Sequence, residues 1–444
     1  MAIINYFNKN LKEIFQNLSL TSFSLYLFSF FISISNSVSA IIIIFFFIGF
    51  LRSKNKINKI EYVVNSSINK SILLFFLFVL ISYFWSDKNF FFQALNKYAV
   101  LLIIPFLDLL SFKKKEKKIA GYFFIIGIIF NVIWSFFILT LYQYEILDNL
   151  LFIKNNHYKS EVFLRGFIDH SSLSILVSFV VFILLSRQFK KEKYYKKWKD
   201  IILYFLILIL VLFLLNSYGR TGFFALIILL PVFLLIKKPK NIKFIILFSF
   251  LFILISINIS NPFKSRLDSI FNSQKETRTQ YQKIESEAQY MVDSLGKDIK
   301  YWKEKINKDI SWQNKIIEKK EPTTMGTRYE IWKTYKNQII KKPLFGYGIG
   351  GTNKIVHTGN GNYPHNSYIL ITFELGVIGL ILLLNIFYVQ IKKAFFCERK
   401  EVLKIIFPLF FLICMMINDY IIIYNTACFF SLYSFLLYSK NTMN

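Results

Sequence analysis

The sequence has 444 residues, of which 55% are hydrophobic and 19% aromatic, and its formal net charge is +28. This composition excludes an ordinary soluble domain, because so much apolar surface suits a lipid environment. The three cysteines, Cys397, Cys414 and Cys428, fit neither a disulfide framework nor a zinc motif.

Apolar blocks of about 17 to 22 residues recur along almost the whole chain, each roughly long enough to cross a hydrocarbon core of about 30 Å. Because backbone groups in lipid must be hydrogen-bonded within their own segment, these blocks are predicted to be helices. The predicted spans are 15–34, 37–51, 70–85, 94–111, 119–141, 169–187, 200–215, 221–236, 242–258, 366–391, 402–418 and 421–438. The sequence therefore predicts an all-α polytopic membrane protein with about 12 transmembrane helices.

One long polar interval, 259–364, interrupts the apolar blocks. It divides the chain into transmembrane helices 1–9 within 1–258, a large and mostly helical loop, and transmembrane helices 10–12 with a tail within 365–444. Inside the loop, the charged stretch 275–320 carries apolar residues at alternating spacings of three and four, which is typical of a helix. Such a helix or bent hairpin would pack on the membrane domain, and a solvated structural insertion is the simplest interpretation.

Lys and Arg indicate the orientation, because positively charged short loops stay in the cytoplasm. With both termini inside, the inner segments and the adjoining helix ends hold 29 of the 54 Lys and Arg, the short outer loops hold 6, and the long interval holds 19. Topology and attraction to anionic lipid headgroups then account for most of the positive charge, so no nucleic-acid partner is needed. The long interval is predicted to lie outside the cytoplasm.

Ionisable residues gather at the predicted outer ends of the helices. Arg165 and His170 flank the start of the sixth span. Arg220 lies between the seventh and eighth spans, and Asp419 lies in the last outer turn. Such groups are costly at membrane depth and usually face a polar cavity. Asp169, beside His170, can instead cap its helix, and Asp419 can simply mark a turn.

The stretch TRYEIWKTYKNQIIKKP places Thr327 and Glu330 at the spacing of a capping box. That spacing predicts Arg328 in the first turn of a helix, where a bound anion such as phosphate would offset the disfavoured cation. Arg328 also shares a helical face with Trp332 and Tyr335. The alternative is a surface arginine paired with Glu330 or another nearby glutamate.

The following stretch, PLFGYGIGG, contains G-x-G-x-x-G at Gly346, Gly348 and Gly351. A dinucleotide site is excluded, because no strand precedes these glycines within a βαβ unit. The glycines let the backbone fold tightly near a ligand or against the membrane mouth, and a plain turn is the alternative. Neither a Walker loop nor a D-x-D pair appears in the sequence, so neither a cofactor nor a metal site is predicted.

The stretch GNYPHNSYILITFELGVIGL places His365 at the boundary of the tenth span. Pro364 suits the first helical position, which predicts His365 in the first turn. There the helix dipole and partial burial disfavour imidazolium, so the side chain should stay neutral and able to act as a general base. A structural hydrogen bond is the alternative. Glu374, about 13 Å further along the helix, is a candidate to support the same network.

Three stretches, SYGRTGFFAL, TRYEIWKTYKNQIIKKPLFGYGIGG and HNSYILITFELGVIGL, resemble in order and spacing the successive signatures of the O-antigen ligase and polymerase superfamily. The similarity covers mainly 215–390. It implies a GT-C-type glycosyltransferase fold that acts on undecaprenyl-pyrophosphate-linked glycan at the periplasmic face of the bacterial inner membrane. By this resemblance, Arg220 and Arg328 would bind the pyrophosphate, and His365 would activate the acceptor hydroxyl.

The leading hypothesis is an O-antigen ligase, which moves finished O-antigen from its lipid carrier onto lipid A core. A polymerase that extends the glycan on the same carrier shares the fold and the arginines. A transporter or flippase for the same lipid would spread charge through the bilayer depth, whereas the charges here gather at one mouth. The sequence departs from the family twice: its serine–arginine pair reads Tyr218-Gly219-Arg220, and 275–320 is an unusually long insertion.

Overall fold

The computed structural model describes residues 19–52, 56–143, 166–188, 197–217, 219–237, 324–357, 363–396 and 401–439, and within these ranges the regular structure is helical. The α-helices are α1 (Leu20–Phe31), α2 (Asn36–Leu51), α3 (Lys56–Asn65), α4 (Ser67–Ile81), α5 (Lys88–Ala99), α6 (Ile103–Leu109), α7 (Lys114–Gln143), α8 (His170–Gln188), α9 (Lys197–Asn216), α10 (Arg220–Lys237), α11 (Thr324–Ile339), α12 (Gly351–His357), α13 (Ser367–Phe395), α14 (Val402–Ile417) and α15 (Tyr424–Tyr438). The 3₁₀ turns Ser82–Phe84 and Val100–Leu102 extend α4 and join α5 to α6.

Eleven of the twelve predicted spans coincide with helices, and the ninth, 242–258, lies outside the described residues, as does the charged stretch 275–320. Six helical segments are long and apolar enough to cross a membrane: Ser67–Phe84, Lys88–Leu109, Lys114–Ile138, His170–Arg187, Arg220–Lys237 and Ser367–Phe395. Shorter apolar helices include α1, α2, the segment Ile201–Asn216 of α9, and α14. The described helices confirm a helical membrane protein, while the count of about 12 spans stays a prediction.

Helix α3 lies in a segment where no apolar block predicted one. Its sequence, KINKIEYVVN, mixes apolar with polar and charged residues, so it has an amphipathic rather than a continuous apolar pattern. Val63 is buried, whereas Ile57 and Ile60 are exposed. An amphipathic helix of this kind suits the interface between lipid and water.

Helix α8 lies at the centre of the bundle. Burial within the protein covers 78% of its span, against 50% or less in the other five long segments. At its middle, the Phe179 ring lies 5.2 Å from Phe407, 5.4 Å from Phe429 and 5.1 Å from Tyr433, measured between ring centroids. Because lipid chains are as apolar as these side chains, helix association in a membrane depends on such close packing. The contacts join α8 to α14 and α15.

Small residues bring the start of α10 against the start of α8. The Gly222 N–H donates to Ser174 Oγ at 3.2 Å, and a Cβ at position 222 would lie 2.1 Å from the Ser174 carbonyl oxygen. A Cβ at Gly219 would lie 2.0 Å from the carbonyl oxygen of His170. Helices that present small residues can approach this closely. Arg220, the first residue of α10, therefore lies at the same end of the bundle as His170.

Candidate active site

The turn 418–420, between α14 and α15, is where the predicted site residues meet. His365 Nδ1 lies 3.1 Å from Asn418 Oδ1. The next residue, Asn366, donates its backbone N–H to Asp419 Oδ1 at 3.0 Å. Ser367 Oγ donates to the carbonyl oxygen of Asn418 at 2.9 Å. Three consecutive residues at the start of α13 are thus bonded to one turn, and His365 is exposed at its edge.

The predicted start of this helix is wrong by three residues, so His365 does not lie in its first turn. Helix α13 begins at Ser367, and Asn366 is its N-cap, whose side-chain oxygen accepts hydrogen bonds from the backbone N–H groups of the second and third helical residues at 3.0 and 3.1 Å. Pro364 is therefore not the first helical residue. Asparagine is among the strongest N-caps, so the cap decides where the helix begins. His365 precedes the helix with a left-handed φ of 48°.

The start of α10 reaches the same turn from the other side. Thr221 Oγ1 lies 2.8 Å from the hydroxyl of Tyr420, which also hydrogen-bonds with the side chains of Asn418 and Ser171. Arg220 precedes Thr221 directly and is partly buried. The turn therefore joins the helix end that carries Arg220 to the junction that carries His365.

The residues predicted near the sixth span divide into three cases. His170 is the first residue of α8, and its carbonyl group packs against Gly219 at the start of α10. Asp169 Oδ1 accepts the backbone N–H of Ser172 at 2.9 Å, so it caps α8 as its structural interpretation predicts. Arg165 lies outside the described residues.

Helix α11 brings Arg328 to the site, but its predicted start is wrong. The helix begins at Thr324, so Thr327 lies inside it and Arg328 lies beyond the first turn. The Thr-x-x-Glu spacing occurs equally inside a helix, where residues three apart are neighbours, and so it did not fix the boundary. The predicted face does pack on the start of α13: Trp332 Nε1 donates to the carbonyl oxygen of Pro364 at 2.7 Å, and the Tyr335 ring meets Phe373 edge-on at 4.9 Å.

Asp419 is the electrostatic centre of this junction. Burial, together with the negative charge of Glu374, raises the pKa of Asp419 to about 7, although the backbone N–H of Asn366 and the positive charges of Lys97 and Arg328 act in the opposite direction. Two cations from separate helices are therefore close enough to stabilise this carboxylate. Asp419 also ties the turn together, because its carbonyl oxygen accepts from the backbone N–H of Ile422 at 3.0 Å.

Lys97, on α5, is a cation of the site that the sequence reasoning missed. Its Nζ lies 5.4 Å from the ring centroid of Tyr363, two residues before His365. Its charge also acts on Glu374 as well as on Asp419. A lysine near the end of an apolar span is usually read as an interfacial anchor, so composition alone does not single it out.

Helix α13 is broken about two and a half turns after it begins. Gly376 has φ 68° and ψ −172°, which is not helical. In an unbroken helix the carbonyl groups of Phe373 and Glu374 would accept from the N–H groups of Val377 and Ile378. The break leaves these four backbone groups to find other partners, and buried backbone groups at membrane depth must be satisfied.

The glycine-rich segment 343–348 supplies all four partners. The N–H of Tyr347 donates to Phe373 O at 2.9 Å, and the N–H of Gly348 donates to Glu374 O at 2.7 Å. In return, Val377 donates to Pro343 O at 2.8 Å and Ile378 to Leu344 O at 3.3 Å. Both strained glycines are needed, because a Cβ would lie 2.5 Å from Phe373 O at Gly346 (φ 66°) and 2.0 Å from Leu344 O at Gly376. The glycines thus insert a loop into a helix, which is the tight backbone approach that the sequence predicted.

Glu374 lies beside this break and is buried. Its Oε2 accepts the hydroxyl of Tyr98 at 2.6 Å, and its Oε1 accepts the backbone N–H groups of Gly350 and Thr352 at 3.2 and 3.3 Å. The carboxylate therefore joins α5 to Gly350, which follows the glycine-rich segment, and to the start of α12. Because α5 also carries Lys97, this network and the junction at His365 share one supporting helix.

These contacts define a helical membrane protein whose histidine, carboxylates and cations from five separate elements converge at one end of the bundle. Residues 203–384, which include Arg220, Arg328, His365 and Glu374, match the family model described as O-antigen ligase (Wzy_C). The match confirms the resemblance drawn from the three sequence signatures.

Curated relatives of the chain come from Rickettsia and are each named as a candidate polysaccharide ligase. The chain is 37% identical to the protein of Rickettsia conorii over 109 residues, which is 21% of this chain and 25% of the relative. The protein of Rickettsia prowazekii is 34% identical over 104 residues, or 20% and 25% of the two chains. That of Rickettsia felis is 38% identical over 80 residues, or 15% and 19%. The matched segments thus cover a quarter or less of these relatives.

Proposed function

We propose that this protein is an O-antigen ligase: a glycosyltransferase that moves a glycan from undecaprenyl pyrophosphate to a sugar of lipid A core. The observation that carries the proposal is the convergence of His365, Arg328 and the Arg220 end of α10 on the turn 418–420. All three residues lie within the segment that matches the O-antigen ligase model. The ligase names of the rickettsial relatives favour a ligase over a polymerase with the same donor.

Arg220 and Arg328 hold the pyrophosphate of the donor in this proposal. Guanidinium groups bind phosphate oxygens through paired, charge-assisted hydrogen bonds. Their charge also stabilises the negative charge that develops on the pyrophosphate as the glycosyl bond breaks. Lys97 and the pair of arginines together supply cationic charge, so the proposed reaction needs no metal ion.

His365 serves as the general base. The acceptor hydroxyl attacks the anomeric carbon, and the new C–O bond forms as the bond from that carbon to the pyrophosphate oxygen breaks. The leaving undecaprenyl pyrophosphate keeps the bonding electrons, and His365 takes the hydroxyl proton. Attack from the face opposite the leaving group inverts the anomeric configuration. The proposed supporting residues are His170, Glu374 and Asp419, and Arg165 from outside the described ranges.

The proposed location follows from the charge distribution along the sequence. Most Lys and Arg outside the long interval fall on one side of the predicted spans, which makes that side cytoplasmic together with both termini. The site then faces the periplasm from the inner membrane, with 1–258 and 365–444 as the membrane part and 259–364 as the large periplasmic loop. A lipid-linked donor would enter from the outer leaflet.

The direct test uses the full-length protein purified in detergent with carrier-linked glycan and lipid A core. Transport of a lipid across a membrane cannot occur in detergent, whereas transfer of the glycan can. Product formation therefore distinguishes an enzyme from a flippase. We expect His365→Ala to lower the turnover by at least about 10²-fold, because a general base contributes roughly that much or more. His357→Ala, the same substitution at the end of α12, serves as the matched control and should retain near-normal turnover. Near-normal transfer by His365→Ala would refute the base.

A deletion strain separates the ligase from the polymerase. Loss of a ligase should leave bare lipid A core and accumulate carrier-linked polymer. Loss of a polymerase should leave core that bears a single repeat unit. The banding of lipopolysaccharide from the deletion strain therefore decides between the two functions.

A further inference from the structure

Asn418 makes two contacts through one oxygen atom. Its Oδ1 accepts the backbone N–H of Asp419 at 2.9 Å and lies 3.1 Å from Nδ1 of His365. A backbone N–H can only donate, so the atom that faces it must be the amide oxygen rather than the amide nitrogen. The contact with Asp419 thus fixes which end of the amide faces the imidazole.

The orientation of this amide decides the tautomer of His365. An amide oxygen only accepts, so Nδ1 of the imidazole must carry the proton in their hydrogen bond. In the neutral ring, Nε2 is then the unprotonated nitrogen and can take a proton from a substrate. We propose that Asn418 is a positioning residue that holds His365 as the Nδ1–H tautomer, with Nε2 free to act on the acceptor hydroxyl. This inference rests on the proposed function, because it requires His365 to be the base.

The backbone around His365 is held in place as firmly as its ring. A left-handed φ of 48° is unfavourable for a residue other than glycine and persists only where surrounding contacts impose it. Here Asn366 is bonded to Asp419 and Ser367 to Asn418, directly after the strained residue. The ring and the backbone are therefore fixed to the same turn, which places the base before the substrate arrives.

Several charged groups already face this junction. Asp419 lies in the turn, Arg328 comes from α11, Lys97 from α5 and Arg220 from the start of α10. A neutral amide at 418 orients the imidazole without adding a further negative charge beside it. A carboxylate at the same position would favour the protonated imidazole, since an opposite charge within about 4–6 Å favours the charged form.

The test compares the pH dependence of kcat/KM for the wild type, Asn418→Asp and Asn418→Ala, each as full-length protein in detergent with carrier-linked glycan and lipid A core. The added carboxylate should move the acidic limb of the Asn418→Asp profile to higher pH by about one unit. Asn418→Ala should lower kcat by roughly tenfold or more while KM for the donor changes little, because only the base is misplaced. Asn216→Asp adds the same charge at the exposed end of α9 and should leave the limb where it is.

A second measurement does not depend on activity. Side-chain ¹⁵N spectra of histidine-labelled protein distinguish the two neutral tautomers, and His365→Gln assigns the signal. We expect the Nδ1–H form in the wild type and a mixture in Asn418→Ala. An unshifted acidic limb in Asn418→Asp would overturn the role of Asn418, and so would the Nε2–H tautomer in the wild type. In either case, an inactive His365→Ala would still support the ligase. A fully active His365→Ala would instead refute the base and this inference with it.

Discussion

Two buried carboxylates lie near opposite ends of α15, and their surroundings differ. Near its last turn, Asp108 accepts a hydrogen bond from Asn69 Nδ2 at 2.8 Å, and Lys117 is close enough for its charge to act on the carboxylate. Lys117 Nζ in turn donates to Ser439 Oγ at 2.8 Å. Before the first turn, Asp419 accepts from a backbone N–H and is surrounded by cations from separate helices.

The difference separates a structural polar cluster from a site. At the Asp108 end, the partners fasten α4, α6, α7 and the end of α15 to one another, and Asn69, Asp108 and Lys117 are buried. At the Asp419 end, an exposed histidine adjoins the carboxylate, and the cations are only partly buried. A buried polar cluster whose partners lie within the protein contributes to packing specificity, whereas partly exposed cations beside a fixed histidine can bind an anionic ligand.

The largest expected effect comes from removing one cation at each end. Arg328→Ala should lower kcat/KM by about 10²–10³, the usual cost of removing one group that stabilises developing charge. Arg220→Ala should act in the same direction. Lys117→Ala should instead destabilise the protein by about 3–5 kcal/mol, because it leaves a buried charge uncompensated. The measurements are transfer kinetics and the thermal midpoint in detergent.

The two variants should lose different properties, one its activity and the other its stability. Arg328→Ala should keep the thermal midpoint of the wild type, and the folded fraction of Lys117→Ala should keep its turnover within about tenfold. Equal losses of turnover in both variants, with unchanged thermal midpoints, would mean that the two ends do not differ in function.

An intermediate effect is expected at the helix break beside the site. Gly376→Ala should destabilise the protein by about 2–4 kcal/mol, because alanine disfavours a left-handed φ and its Cβ would press against Leu344. Gly121→Ala is the matched control, because a Cβ there would have no atom of the described residues within 4 Å. Alanine in that open helical position should stabilise by up to about 1 kcal/mol. Equal thermal midpoints in the two variants would contradict the inserted loop.

Most of the helical framework could be predicted from the sequence, because long apolar runs in lipid leave the backbone few choices. The shared helical face of Arg328, Trp332 and Tyr335 could likewise be predicted, since residues three and four apart lie together on a helix. The catalytic and ligand-binding roles drawn from the family resemblance stay predictions. Local patterns placed His365, Asp419 and the start of α10 at one end of the bundle, and the structure brings these elements together there.

The details of the site depend on contacts that local patterns do not contain. The run 367–395 reads as one continuous apolar helix, so nothing within it reveals that segment 343–348 replaces two of its hydrogen bonds. Lys97 becomes part of the site only because α5 packs beside α13 through Tyr98. The boundary at His365 was a competition between a proline and an asparagine cap, and the cap decided it.

The most gradual expected effect is the pH dependence that Asp419 gives to the stability of the protein. Because burial and the charge of Glu374 raise the pKa of Asp419 from 3.8 to about 7, the folded protein holds a proton between these values that the unfolded chain has released. Stability should therefore fall as pH rises from 4 to 7, by at most about 1.4 kcal/mol per pH unit, and level off above 7. Asp419→Asn removes the titrating group and should flatten this slope, as measured by thermal midpoints across that range. Identical slopes in the wild type and Asp419→Asn would show that Asp419 does not titrate in the folded state as its burial requires.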